Sequence, residues 1–245
     1  NKTCILTEQW LRFDQLAIEW LELEKNMYQT KNNTNLGKLV IGSMDSISQF
    51  LISSMMRSLR EKLPEIDIIF KSYHSSELYP RLSSHDLDIA FGFYPIYYEL
   101  AAVPVFKEKM YMISLENSIY PDRPIHPSEL KKSDQILFTW NNDILNWNNE
   151  WWSEQEAPYV HVDSCGLLTT FLTKKEHWAL SPASVAEGLK AQRGYKVHEI
   201  LGNPPDRICY LLHRKKKKRM NVIKMDKFLD AFNEELSIHP WRYLL

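Results

Sequence analysis

The chain has 245 residues, 44% of them hydrophobic, and a formal net charge of -1, a composition that supports one or two domains with a sizeable core. A near-neutral balance argues against a chain that grips nucleic acid through a basic face of its own. No apolar run approaches the ~20 residues of a membrane span and no basic start precedes an apolar core, so neither a membrane protein nor a secretory signal is expected and the chain reads as cytoplasmic.

Residues 1–33 form the first unit, whose centre is an amphipathic helix expected from about Leu6 to Gln29. Apolar residues recur at Leu6, Trp10, Phe13, Ala17, Trp20 and Met27, the alternating three-four spacing of a coiled-coil seam that Glu24 interrupts. Leu11, Ile18 and Leu21 add a second apolar line beside the first. Such a wide stripe predicts burial against a partner chain; the plainer alternative is an N-terminal helix packed on its own domain. After the polar joint KNNTNLG the pattern predicts a strand (Gly37 to Gly42), a helix (about Ser46 to Lys62) and a strand (Ile66 to Lys71), a βαβ unit. A second helix (Ser75 to Leu82) leads into the apolar strand LDIAFGF, so the sheet opens as parallel α/β with right-handed crossovers.

Two further strands lie in LAAVPVFKEKMYMIS, and the Pro-rich polar stretch ENSIYPDRPIHPSELKK then marks a crossing loop. The α/β alternation resumes as strand QILFTW, helix ILNWNNEWWSEQ, strand YVHV, helix SCGLLTTFLTK, strand HWALSP and helix ASVAEGLKAQ. RICYLLHR reads as a buried strand returning to the first lobe, and VIKMDKFLDAFNEEL as a closing helix. The expected division is residues 36–114 plus 206–245 for lobe I and 115–205 for lobe II, with two crossings that make a hinge and a cleft at its mouth.

LGKLVIGS, the helix after it, LPEIDIIFKSYHSSELYPRLSSHDLDIAFGF and LAAVPVFKEKMYMIS together resemble the effector-sensing domain of LysR-type transcriptional regulators. Pro64 and Asp88 stand where that pattern has them, and ILTEQW, with Thr7 and Glu8, resembles the element that opens the linker helix. The least typical stretch is FLTKKEHWALSPASV: Pro182 is in place, but Lys174, Lys175 and His177 occupy positions usually held by small residues. The resemblance implies an α/β chain of two Rossmann-like lobes of the type 2 periplasmic-binding-protein fold, preceded by a long linker helix. It also implies a homodimer, a tetramer in the full-length protein, and DNA contact through a winged helix-turn-helix outside this chain. The helices Ser46 to Lys62 and Ser164 to Thr173, each apolar on more than one face, are expected to meet a second copy antiparallel. A solute-binding protein of a transporter is the alternative with the same fold, but it has no use for the linker helix.

Ligands of open α/β sheets sit beyond the carboxyl ends of strands, near helix starts. Four such ends carry polar groups, and the expected effector-binding residues are Ser43, Asp45, Ser46, Ser75, Thr139, Trp140, Asn141 and Ser181. The resemblance marks Ser75 in particular as a position that touches effector. Each has an ordinary reading as well. Ser46 with Gln49 fits a capping box, Ser181 before Pro182 fits a helix start, and Asp45 is either a solvated cap or a carboxylate facing the cleft. In the second case the effector is neutral or carries an amine. Phe93, Tyr94, Tyr97, Tyr98, Trp140 and Trp147 could supply an aromatic wall.

Other motifs carry no function. HRKKKKR at 213–219 reads as a solvated turn before the last helix, and Asn32-Asn33-Thr34 is a glycosylation sequon only in a secreted chain. The histidines lack metal spacing, no nucleophile or acid/base constellation is present, and no cofactor is called for, so an enzyme is not expected. Cys4, Cys165 and Cys209 read as reduced thiols, with a redox-sensing pair the lesser reading.

Overall fold

The computed structural model describes residue 10 and residues 13–14, 16–23, 36–93, 100–192, 194–215 and 219–239, side chains 219–221 excepted. Residues 16–23 are helical, and the apolar stripe there is bare: Trp10, Phe13, Trp20 and Leu21 are each about 60% exposed or more. Leu6 and Met27, the ends of the expected seam, lie outside the described residues.

The first sheet has the order β2-β1-β3-β10-β4, built from β1 (Gly37–Ser43), β2 (Ile66–Ser72), β3 (Ile89–Gly92), β4 (Leu100–Glu108) and β10 (Arg207–Arg214). β1 pairs parallel with β2 and β3, whereas β10 runs antiparallel between β3 and β4. Alternation along β1 explains the layers on either side. Leu39 and Ile41 join one core with Met55 and Leu59 of α1 (Ser53–Lys62) and with Met225, Phe228 and Phe232 of the closing helix α6 (Arg219–Leu236). Val40 faces the other core, under α2 (Ser75–Ser83), with Leu78, Leu82 and Leu87. Gly42 lets α2 and the segment after it come close, since a Cβ there would lie 3.0 Å from Leu78 Cδ2 of α2 and 2.4 Å from Leu87 Cδ1 beyond its end.

The second lobe is smaller. β5 (Met110–Leu115) lies between β8 (Trp178–Pro182) and β9 (Tyr195–Glu199), antiparallel to both. β6 (Ile136–Phe138) and β7 (Val160–Val162) form a parallel pair joined to β8 by the bridge Gln135–Trp178. The helices are α3 (Asn142–Trp151), α4 (Gly166–Phe171) and α5 (Ala183–Ala191), enclosing a core rich in tryptophan: Trp140, Trp147, Trp152 and Trp178. β5 had been expected to end lobe I. Its pairing puts it at the centre of the second sheet, so the chain changes lobe at Lys109 and returns between Glu199 and Arg207. β9, at YKVHE, was not foreseen, because its alternation is carried by charged and aromatic residues rather than an apolar run.

The helix after β1 also differs from expectation. It begins with a π-helical turn, Ile47–Ile52, before continuing as α1. Of the residues expected to give α1 a second apolar face, Leu51, Met55 and Leu59 are buried in lobe I and Met56 packs against the same core. Phe50 packs instead on the lobe II core, where a Cβ on Gly188 of α5 would lie 2.6 Å from Phe50 Cδ1. The outer row of α1 is polar, with Ser53, Ser54, Arg57, Arg60 and Glu61 exposed. On α4, Leu168 is buried and Leu167 is 37% exposed. No described helix is long and apolar enough to cross a membrane.

Candidate functional site

The ends of β1, β4, β6, β8 and the start of β10 converge between the lobes, and Arg207 stands at the meeting point. It opens β10 and pairs in register with Glu108, the last residue of β4, so both strands that cross between lobes contribute to one ion pair. Arg207 Nη2 and Nε donate to Glu108 Oε1 at 2.5 and 3.0 Å, with both side chains essentially inaccessible to solvent. The guanidinium carbon lies 3.8 Å from the ring centre of Phe93 in lobe I and 4.9 Å from that of Trp140 in lobe II. Nη1 donates to Ser46 Oγ at 3.3 Å. The other carboxylate oxygen of Glu108 accepts the backbone N–H of Ser184 at 2.9 Å, in the first turn of α5, where the helix dipole favours a negative charge. A buried pair of this kind is retained only where further hydrogen bonds satisfy both ions, and each has them here.

Asp45 makes the second link between lobes. Its Oδ2 accepts the backbone N–H of Cys165 at 2.7 Å and the Ser164 hydroxyl at 3.1 Å, both just ahead of α4. A third contact is the N–H of Ala183, which donates to Lys109 O at 3.0 Å.

The structure assigns the expected site residues to three groups. Asp45, Ser46 and Trp140 lie together at the lobe junction. Asp45 is not a solvated cap, because its carboxylate reaches across to lobe II. Ser46 is not a capping residue either: its backbone is helical (φ -60°, ψ -38°), the helix start makes no side-chain cap, and its hydroxyl accepts from Arg207. Trp140 presents a ring to Arg207 while its Nε1 donates to Leu180 O at 2.9 Å. The second group borders the junction but is engaged locally. Ser43 Oγ lies 2.5 Å from Ser48 Oγ, and Asn141 caps α3 by accepting the N–H of Ile144. Thr139 Oγ1 is 3.1 Å from His161 Nε2. Ser181 is buried inside β8 rather than capping α5, which starts one residue after Pro182, and its hydroxyl donates to the Pro182 carbonyl. Ser75 lies in the first turn of α2, three residues beyond Ser72 of β2, which pairs with Ser43 of β1. The capping box there is formed by His74 and Glu77.

Of the expected aromatic wall, Phe93 and Trp140 contribute. Trp147 is in the lobe II core, with Nε1 donating to Gly202 O at 2.6 Å, and Tyr94, Tyr97 and Tyr98 lie outside the described residues. Sequence reading missed Arg207 and Glu108. Glu108 sits in the charged run Lys107-Glu108-Lys109 and Arg207 follows Asp206, so neither stands out from its neighbours, and only the antiparallel register of β4 and β10 makes them partners.

Cys165 and Cys209 are both buried. Burial pushes the Cys165 thiol well up, with the Asp45 carboxylate adding to it, and burial does the same to Cys209. Thiols of this kind are poor nucleophiles, which disfavours the redox-pair reading for these two; Cys4 lies outside the described residues. Within HRKKKKR, Arg214 is tethered, with Nη1 donating to the carbonyls of Leu82 and Leu87 at 2.6 and 2.7 Å; residues 216–218 are outside the described set.

Comparisons with known proteins agree on the fold. The reduced form of the OxyR regulatory domain from Pseudomonas aeruginosa matches with a TM-score of 0.66 at 16% identity, covering 82% of this chain and 100% of that one. Full-length OxyR from the same organism matches with a TM-score of 0.70 at 15% identity, covering 94% and 75%. Full-length CbnR in complex with its target DNA matches with a TM-score of 0.66 at 14% identity, covering 96% and 83%. No curated protein sequence matches. The LysR substrate binding domain family matches residues 32–237, nearly all of the two lobes, and the chain therefore belongs to that family as the effector-sensing part of a LysR-type transcriptional regulator.

Proposed function

We propose that this chain senses a small molecule at the junction of its two lobes and passes the difference to a DNA-binding module outside it, in the cytoplasm. The observation that carries the reading is Arg207: one buried guanidinium contacts Phe93 and Ser46 of lobe I and Trp140 of lobe II, on a strand that crosses between them. A ligand that alters the spacing of these groups has different contacts in two lobe arrangements, the requirement for a population shift. A coupling of about 1–3 kcal/mol is ordinary for such a device. The ranking of contacts follows the geometry, with Asp45, Ser46 and Trp140 first and Ser75 last. A thermal-shift screen of small metabolites tests it. For a molecule that binds, Trp140→Ala is expected to weaken affinity at least tenfold and Ser75→Ala to leave it unchanged; the reverse pattern moves the site to α2.

We further infer that the chain is a homodimer that assembles to a tetramer in the full-length protein, mainly through the N-terminal segment that contains the helical residues 16–23. Its bare stripe of Trp10, Phe13, Leu16, Trp20, Leu21 and Leu23 supports this, whereas α1, with a polar outer row, supports it less than its sequence suggested. Replacing Trp10, Phe13 and Trp20 together by Ala is expected to lower the assembly state in sedimentation velocity while the lobes stay folded by circular dichroism. An unchanged sedimentation coefficient refutes the seam.

The chain alone is expected not to shift operator DNA at sub-micromolar concentration. A salt-sensitive shift that disappears when Lys215 to Lys218 are neutralised would overturn both this and the reading of the basic run as a turn.

A further inference from the structure

Gln135, just ahead of β6, and Asn148, on α3, meet inside lobe II, and both are buried. Gln135 Nε2 donates to Asn148 Oδ1 at 2.7 Å. The other half of each amide, Gln135 Oε1 and Asn148 Nδ2, has no hydrogen-bond partner among the described residues. Turning both amides over does not remove the deficit: Gln135 Oε1 then accepts from Asn148 Nδ2, and Gln135 Nε2 and Asn148 Oδ1 are left over. In either arrangement one donor and one acceptor stay unmet, which buried polar groups seldom tolerate. The two residues line a small cavity between β6 and α3, with room for about one water-sized group. The rest of its lining is apolar: Ile136, Ile144 and Leu180 are buried, whereas Leu137 and Leu145 are half-buried.

We propose that this cavity is a second ligand site, inside lobe II, and that its ligand is a small aliphatic alcohol. A hydroxyl matches the amide pair because one oxygen both donates and accepts: its proton goes to the unmet amide oxygen, and its lone pair takes the unmet N–H. A carbonyl or an ether supplies only the acceptor. An ion finds no counter-charge, since no titratable side chain lines the cavity. Water shares the hydroxyl chemistry but leaves the apolar lining uncovered, whereas hydrocarbon attached to the oxygen lies against Leu137 and Leu145. Phe138 and Leu180, which also line the cavity, connect it to the lobe junction. The ring centre of Phe138 is 4.4 Å from that of Trp140, and Leu180 O accepts the Trp140 indole N–H at 2.9 Å. An occupied cavity therefore bears on the ring that faces Arg207, although binding itself does not depend on the junction being the sensing site.

The test is an NMR titration of the full chain with 2-propanol, and with acetone, which has the same skeleton but cannot donate. The side-chain amide signals of Gln135 and Asn148 and the indole N–H of Trp140 are expected to move with 2-propanol along a saturating curve. Acetone leaves one acceptor of the amide pair unmet and is expected to bind about tenfold more weakly. Linear shifts of equal size with both probes are a bulk solvent effect and overturn the proposal. Cross-relaxation between these amides and water that persists at the highest 2-propanol concentration assigns the position to a bound water and overturns the alcohol as ligand. Amide signals that move while Trp140 stays still overturn the link to the junction. Replacing the pair by apolar residues of similar volume, Gln135→Met with Asn148→Leu, leaves no unmet polar atom and is expected to abolish the Trp140 response. If that variant does not fold, Leu145→Phe carries the test: it narrows the cavity, leaves the amide pair intact and should suppress the response of all three signals, and a response of wild-type size refutes the site.

Discussion

Arg207→Ala is expected to destabilise the chain by about 3–5 kcal/mol in urea unfolding, the cost of leaving a buried carboxylate without its cation. Glu108 keeps only the Ser184 N–H, Ser46 loses its donor, and the rings of Phe93 and Trp140 lose the group between them. The complementary experiment separates the worth of the pair from the penalty of breaking it. Replacing both partners by apolar residues of similar volume, as in Arg207→Met with Glu108→Leu, is expected to recover most of the loss, because no uncompensated ion remains. A loss under 1 kcal/mol for the single variant would show that water reaches Glu108 and that the junction is looser than its geometry indicates.

Phe228→Ala is expected to cost about 3–5 kcal/mol, as deletion of a fully buried aromatic ring commonly does. Phe228 is inaccessible to solvent, with ring centres of Phe70, Phe91 and Phe232 at 6.2, 6.4 and 5.8 Å. These belong to β2, β3 and α6, so the cavity would open between the closing helix and the centre of the first sheet. Polar contacts along the same helix, Lys224 Nζ to Lys38 O at 2.6 Å and Glu235 to Lys62 and Ser58 at 2.7 and 2.5 Å, hold α6 at its ends and limit how far it can collapse into the gap. Differential scanning calorimetry should show the loss as a lower melting temperature with the transition still cooperative. Separate melting of the two lobes instead would mean that α6 couples them.

Apolar periodicity was enough to place most of the secondary structure, since alternation along GKLVIGS and the three-four spacing of Met225, Phe228 and Phe232 each bury one face whatever the rest of the chain does. The same pattern pointed to the α/β class, because short apolar strands alternating with amphipathic helices admit few other architectures, whereas the two-lobed family came from the resemblance of LGKLVIGS and LPEIDIIFKSYHSSELYPRLSSHDLDIAFGF to LysR-type effector-sensing domains. The site was legible only as a set of strand ends. Tertiary structure decided which of them face each other. It brought Asp45, Ser46 and Trp140 to one junction and left Ser75 in the first turn of α2. Sequence could not show that β5 belongs to the second sheet, because an apolar strand pairs equally well with either neighbour until its register is set. Nor could it show the Arg207–Glu108 pair, 99 residues apart in the chain, or the reach of Asp45 to Cys165. Hydrophobic pattern is a local property that each segment carries with it. The partner of a charge is a long-range property that exists only once strands from distant parts of the chain lie side by side.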